Sequence, residues 1–566
     1  MNVDSWNRKD KRPEDTVKTI VELLEKHGIK TKVVNENNYK DLWYSCRVEI
    51  EGLPSVGANG KGVTREYALA SAYGEFVERY QSGFMIDKLF RCKLKAKRPS
   101  SHKFSIEDIL FFFPNVFVNA SQEEILAYFK AETDEYMFLS DKGTNRRILP
   151  RRLVDILCGS NGLAAGNTTE EAAVQGTAEL LERHVLRQIY SSSGGLFPVL
   201  RKKSLQNLKS YKLIEAIEQK GYHVFVRDCT LGNNVPVLGV LIFDASYTKY
   251  YFKLGAEIDA DISIQRSITE VFQGLDFNYS FRFKMRSLFK GEDAEDILVG
   301  CKPEKEYVRS LIDGSGLLPR SFLFETEEID SLPSVFKMEI TTNKEALKEM
   351  SMMVEHSFGE LYYAKLNTTD FPTVRVLIPG ISDVFYTAGD DVLKLLKTNG
   401  DIVEMFQNQE VNHPKMLELL DITKQYMSNS YSHELRNIVG IVLDDEFWGN
   451  AVQSFWLFYA FLSMHLGDRA RVNHALTELN SQNLFEEKDF AEISILINGI
   501  LQGKSREECL HVIDKILCRP SKWEKLIFYI KDNGFEGIGG ACSSCILQKI
   551  CLVDRWKKRS PEKEVK

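Results

Sequence analysis

The chain contains no run of about eighteen uninterrupted apolar residues, the length at which a bilayer-spanning helix is suspected. Its most apolar stretch, FWGNAVQSFWLFYAFLSMHLG, is broken by Asn, Gln and Ser and reads as a buried helix, so no membrane span is expected. Ten cysteines in 566 residues are too few for a disulfide scaffold. Seven of them are scattered singly and read as small buried side chains. There is no basic excess: the formal net charge is −7, which argues against a direct nucleic-acid partner. The opening MNVDSWNRKDKRPED lacks the apolar segment of a secretory leader, so a cytoplasmic location is expected. Also missing are a GxxxxGK[ST] phosphate loop, a GxSxG elbow, a Ser–His–Asp order and any metal-ligand spacing among the ten histidines. A kinase or an ATP-grasp ligase is disfavoured because neither motif set occurs.

What is present divides the chain in two. TVKTIVELLEKHGI has helical apolar spacing, and WYSCRVEIEG, YHVFVRD, VPVLGVLIFDA and TVRVLIPG are short β-rich runs bounded by Gly, Pro, Asn or Asp. Periodic helical segments lie between them, which predicts a single mixed α and β domain up to about residue 400. Beyond it, HPKMLELLDITKQYM, EFWGNAVQSFWLFYAFLSMHL, DRARVNHALTELNSQ, DFAEISILINGILQG and SREECLHVIDKIL predict helices in pairs, either a tetratricopeptide-like array or an irregular bundle. The boundaries expected are a disordered stretch over 1–12, the mixed domain over 13–400, helices over 401–540 and a tail from 541.

One helix is written more than once. Thr64 to Arg79 aligns without a gap on Thr168 to Arg183, setting Glu75 on Glu179, Glu78 on Glu182 and Arg79 on Arg183. In DISIQRSITEVFQG, Glu270 falls on the first glutamates and Gln273 on the second, and Ser71, Gln175 and Arg266 share one further position. At 3.6 residues per turn Ser71, Glu75, Glu78 and Arg79 project within roughly 100° of one another, with Leu69, Ala72, Tyr73 and Phe76 on the neighbouring, core-facing arc. A single ExxER is an ordinary solvated face. Carboxylates repeated on three helices repel unless they are spread over solvent or gathered round cations. Gathering suits Mg2+, which bridges protein carboxylates to substrate phosphates. The polar turns NGKGVT and SNGLAAGNTT before the first two copies offer backbone N–H groups to phosphate, and Lys61 adds a point charge.

These residues resemble the YcaO-domain family. Its SxxxExxER pattern reads here as Ser71, Glu75, Glu78 and Arg79, its Sx6ExxQ pattern as Ser263, Glu270 and Gln273, and the SNG turn as Ser160, Asn161 and Gly162. The resemblance covers roughly residues 40 to 390, and the helical region that follows makes the chain most similar to the stand-alone branch with a tetratricopeptide-like C-terminus. It implies an α+β fold, a YcaO-type ATP-binding domain followed by an all-α domain. It further implies ATP held by Mg2+ and activation of a peptide amide by phosphorylation. By motif it implies Glu75, Glu78, Glu179, Glu182 and Glu270 as metal-binding and catalytic residues, with Lys61, Ser71, Arg79, Asn161, Gln175, Arg183, Arg266 and Gln273 on the nucleotide. Azoline-forming members often end in PxPxP, whereas this chain ends SPEKEVK, so cyclodehydration by that route is not expected. The stand-alone branch is associated with an accessory role in methylthiolation of a ribosomal protein. Two functions follow: an amide-activating enzyme acting on a peptide or protein, or an ATP-binding accessory factor for a partner enzyme docked on the helical domain. A homodimer is the commonest assembly for such a protein.

Two readings remain open. Cys542, Cys545 and Cys551 are spaced to turn thiolates onto one Zn2+ or an Fe–S cluster, with Cys518, Cys509 or His511 as a fourth ligand, or they are reduced structural thiols. His184, next to Arg183, is either a catalytic group or, more in keeping with a lone histidine, a structural one.

Overall fold

A computed structural model of the full chain describes residues 8–82, 104–117, 120–129, 135–191, 197–271, 285–288, 303–312, 316–324, 327–366, 369–384, 393, 397–398, 401, 412–426, 451–481, 487–521 and 523–533. The described residues up to 390 form one compact unit and those from 391 onward a second. The boundaries expected near 400 and 540 fall outside the described residues. No described helix is long and apolar enough to cross a membrane.

The first unit carries three sheets. β1 (Thr31–Tyr39), β2 (Trp43–Ile50) and β3 (Leu53–Gly62) form an antiparallel sheet in that order. A second sheet joins β4 (Glu135–Ser140), β5 (Arg146–Pro150), β6 (Leu163–Ala165), β13 (Tyr362–Lys365) and β14 (Thr373–Leu377) in the order β5-β4-β13-β14-β6. The third comprises β7 (Val199–Leu200), β8 (His223–Asp228), β9 (Val237–Phe243), β10 (Lys249–Ala256), β11 (Arg286–Ser287) and β12 (Glu328–Ile329), ordered β11-β10-β9-β8-β7-β12. The four segments read as strands from sequence fall on β2, β8, β9 and β14.

β9 shows how the third sheet divides the unit. All seven of its residues are buried, as expected for a strand covered on both faces. Val237, Leu241 and Phe243 join the core beneath the Thr169–Ser191 and Asn343–Phe358 helices. Leu238, Val240 and Ile242 join the core beneath the Tyr211–Glu218 and Ala260–Val271 helices. The Thr169 and Ala260 helices therefore pack on opposite faces of one sheet.

Asn59 to Gly62 was expected to be a turn, and it is the end of β3. The glycines serve close packing: a methyl on Gly60 would run into the Ala68 carbonyl of the Arg65–Gln81 helix, which Thr64 caps by accepting from Tyr67 N at 3.3 Å. Gly255 of β10 plays the same part under the Ala260 helix, where a methyl would meet the Ser263 carbonyl. SNGLAAGNTT likewise contains a strand, β6. Each acidic helix thus follows a strand on which it lies almost backbone to backbone, and the repeat extends beyond the helices themselves.

Residues 8–12, expected to be disordered, are tied down. Arg8 pairs with Glu257 at 2.6 Å, Lys9 with Glu171 at 3.1 Å, and the Arg8 carbonyl accepts from Asn343 Nδ2 at 2.9 Å. Two buried carboxylates and an asparagine, remote in the chain, outweigh the polarity that suggested disorder.

In the second unit the helices His413–Tyr426, Ala451–His465, Arg469–Ser481, Glu487–Leu501, Arg506–Leu517 and Glu524–Asn533 surround one core built on Phe455 to Leu462. All five predicted helical segments are found. Gly467 and Gly503 turn the chain at positive φ between neighbouring helices.

Candidate active site

The charges of the three acidic stripes reach one another and those of Lys61 on β3, Lys253 on β10 and Arg375 on β14. The Arg65 helix buries Tyr67, Ala68, Ala72, Tyr73, Phe76, Val77 and Gln81 and leaves Ser71, Glu75, Glu78 and Arg79 half-buried in a stripe. Leu69, expected in the core, stays half-buried. At the far end Gln81 donates to the Phe371 carbonyl at 2.6 Å and to Thr373 Oγ1 at 2.7 Å, which fixes the helix to β14. The Ala260 and Thr169 helices are joined by Arg266, which donates to Gln175 and, at 3.3 Å, to the Ala256 carbonyl. Lys61, at the end of β3, pairs with Glu270 and so ties the Ala260 helix to the strand beneath the Arg65 helix.

The electrostatics record the same convergence. Glu78 is pushed up to about 8, first by burial and then by Glu179 and Glu75, against Arg79 and Arg375. Glu179 is raised for the same reasons, with burial leading and Glu182 and Glu75 adding to it against Arg183 and Arg79. Burial, followed by the Lys253 ammonium, pulls Lys61 down to about 7, against Glu75 and Glu182. Each of these groups feels charges from at least two of the three stripes. The ion pairs are loose: Arg79 lies 3.7 Å from Glu75 and 3.6 Å from Glu78, and Arg183 lies 3.9 Å from Glu179.

Two recesses flank the stripes along the Thr169 helix. One, of about 270 Å³, is lined by Arg8, Lys9, Glu171, Val174, Gln175, Glu257, Ile262, Arg266 and Asn343. The other, of about 480 Å³, is lined by Glu182, Arg183, Leu186, Ser310, Gly316, Leu318, Arg286 and the β10 residues Tyr250 to Leu254. Glu179 and Glu182 lie between Val174 and Leu186 on the helix.

Among the described residues no three His, Cys, Asp or Glu side chains close on a common point as a ready-made metal cage. Mg2+ does not ask for one. It is commonly held by one or two carboxylates together with substrate phosphates and waters. The donor set suits it: hard oxygens crowded until two of them are held above the ordinary carboxylate range.

Other expected residues fare differently. Asn161 is buried; its Nδ2 donates to the Ser382 carbonyl at 3.1 Å and its backbone carbonyl accepts from Arg375 at 3.0 Å, so it fixes the turn before β6. His184 packs edge-on against Phe358, and burial followed by Arg187 lowers its pKa to about 4, which keeps it neutral. Gln273, Cys542, Cys545 and Cys551 lie outside the described residues. Cys509 is buried and Cys518 exposed.

Sequence reasoning missed Arg8, Lys9, Glu171, Glu257, Lys253, Arg286 and Arg375. Arg375 could have been found. It interrupts the apolar run TVRVL, its side chain is fully buried, and it donates to the carbonyls of Gly159 and Asn161 at 2.8 and 3.0 Å and to Asp155 at 3.0 Å. A charge in the middle of a core strand demands such partners. The others carry no local signal.

The family model described as YcaO cyclodehydratase, ATP- and Mg2+-binding, matches residues 59–382. An uncharacterized protein of Haemophilus influenzae is 25% identical over 412 residues, 68% of this chain and 67% of the relative. The ribosomal protein S12 methylthiotransferase accessory factor YcaO of Escherichia coli is 23% identical over 401 residues, 67% of this chain and 66% of its own. This chain thus spans about two thirds of the length of each curated relative. Among solved structures, a heterocyclase in complex with substrate and cofactor has a TM-score of 0.46 at 18% identity, covering 68% of this chain and 54% of that one. A Methanopyrus kandleri protein bound with AMPPCP and Mg2+ has a TM-score of 0.43 at 18% identity, covering 67% of this chain and 94% of the other.

Proposed function

This chain belongs to the YcaO family, and from that membership we propose that it binds ATP with Mg2+ and phosphorylates an amide oxygen in a peptide or protein. The observation that carries the reading is the mutual influence of Glu75, Glu78, Glu179, Glu182 and Glu270 with Lys61, Arg79, Arg183 and Arg266, drawn from three helices and one strand. Glu75, Glu78, Glu179, Glu182 and Glu270 would hold the metal, which when bound neutralises charge on the transferring phosphoryl group.

The remaining roles follow the order along the Thr169 helix. The base lies in the recess at Val174 and Gln175, against Ile262 and Arg266. From Val174 to Glu182 is eight residues, about 12 Å of helix, a span that carries the phosphates to the acidic stripe. Lys61, Arg79 and Arg183 meet phosphate oxygens there, and Lys61 leaves Glu270 as the phosphates arrive. Asn161 and Arg375 hold the turn beneath them, Ser71 lines the stripe, and Gln273 belongs to the same set by motif. The acceptor's amide oxygen forms the bond to the γ-phosphorus as the bond from that phosphorus to the bridging oxygen breaks, ADP departs, and the amide N–H proton passes to solvent. An amide oxygen is a poor leaving group and phosphate a good one, so a nucleophile next expels phosphate. The protein's share is positioning and charge.

The role of the Escherichia coli relative as an accessory factor favours a second reading, an accessory factor whose ATP occupancy governs a partner enzyme. In both readings the tetratricopeptide-like second unit recruits substrate or partner. Purified protein with candidate peptides separates them. Phosphate release that depends on a peptide and changes its mass supports the enzyme; ATP-dependent association with no mass change supports the accessory factor. Absence of any ATP or AMPPCP binding in the presence of Mg2+ sinks both.

A further inference from the structure

The proposed phosphorylation leaves the transferred phosphate on the acceptor, where it still needs cations once ADP begins to leave. We propose that the 480 Å³ recess beside Glu182 is the acceptor site, and that Lys253 and Arg286 hold the phosphate carried by the phosphorylated amide. This rests on the ATP-dependent reading given above.

Three observations converge on it. The recess shares Glu182 and Arg183 with the acidic stripes, so its mouth opens where the γ-phosphate would end. The opposite recess is flanked by Arg8 and Lys9, already paired with Glu257 and Glu171 on the side where the base lies, so an acceptor approaches in line from the other end. Lys253 comes from β10 and lines this recess with Tyr250 to Leu254 of the same strand. Arg286 comes from β11, which pairs with β10 through Tyr250, and it reaches the field of Tyr251 on the recess wall. Leu186, Phe252, Leu254 and Leu318 supply the apolar remainder. The ligand class is a short peptide segment whose amide oxygen carries phosphate, with an apolar side chain next to it.

Inorganic phosphate, titrated into the full-length protein loaded with ADP and Mg2+, is the probe; AMPPCP with Mg2+ is titrated in parallel. The wild type is expected to take up phosphate saturably. Lys253→Ala and Arg286→Gln should each weaken phosphate by at least about tenfold, as loss of a charge-assisted hydrogen bond does, and by more than they weaken AMPPCP, while Lys253→Arg restores phosphate. The two variants lie on different strands, and circular dichroism confirms that each is folded. Unchanged phosphate affinity in a folded variant overturns the assignment. So does a loss of AMPPCP affinity equal to the loss of phosphate, which would make these residues nucleotide ligands, and so does a wild type that binds AMPPCP but no phosphate. A wild type that binds neither overturns the ATP-dependent reading itself.

Discussion

The core of the helical unit and the acidic stripes of the first unit treat their carboxylates in opposite ways. In the helical unit Glu492 is completely buried and accepts from Ser521 at 2.6 Å, from Trp523 N at 2.7 Å and from Arg519 at 3.2 Å. Asp421 there accepts from Tyr459 and, at 2.8 Å, from Arg471. In the first unit Arg79 lies 3.7 Å from Glu75 and 3.6 Å from Glu78, Arg183 lies 3.9 Å from Glu179, and Glu78 and Glu179 are held above the ordinary carboxylate range. A carboxylate that serves the fold is completed by its own chain. One kept for a ligand is left strained, because what completes it is to arrive later.

The sharpest way to break this contrast is to neutralise one carboxylate of each kind. Glu75→Gln is expected to reduce Mg2+-dependent ATP turnover by at least about a hundredfold, since a lost metal ligand removes stabilisation of the transferring group, while the melting temperature holds or rises. Unaltered turnover would mean that the stripe is only a surface. Glu492→Ala should do the reverse in kind: it removes the acceptor of Ser521 and Trp523 N, while Arg519 keeps Asp489, and it should cost about 3 kcal/mol in urea unfolding of the helical unit.

Next in size is a pH effect. Folding raises Glu78 from 4.5 to about 8, so between those values the folded protein holds a proton that the unfolded chain has released. Stability of the ligand-free protein therefore falls as pH rises through that window. Mg2+ must displace the proton, so its affinity should climb by close to tenfold per unit up to about pH 8 and then level off, and Glu78→Gln should flatten the curve. Isothermal titration at pH 6, 7 and 8 checks it. The smallest effect sets the floor. Arg65 and Glu36 form an exposed pair at 2.6 Å, and Arg65→Ala should cost no more than about 1 kcal/mol.

The acidic helices were legible because the same letters recur at one spacing, and the helical unit was legible from its periodicity. The strands beneath those helices were not. NGKG reads as a turn by composition and becomes the end of β3, since its glycines answer to a helix backbone that lies beyond any local window. Arg8 and Lys9 read as a loose terminus and are held by Glu257 and Glu171, about 250 and 160 residues away in the chain. Lys253 and Arg286 sit in strands with no motif around them; only the pairing of β10 with β11 brings them to one recess.

By itself the sequence determined which helices would be acidic along one edge, most of the face that the first of them would bury, and that the last third would be helical, because those properties depend on neighbours three or four residues away. Only the tertiary structure decided that the charges of three such edges act on one another, and which remote cations lie beside them. Repulsion and burial between groups far apart in the chain exist only once folding has closed the distance.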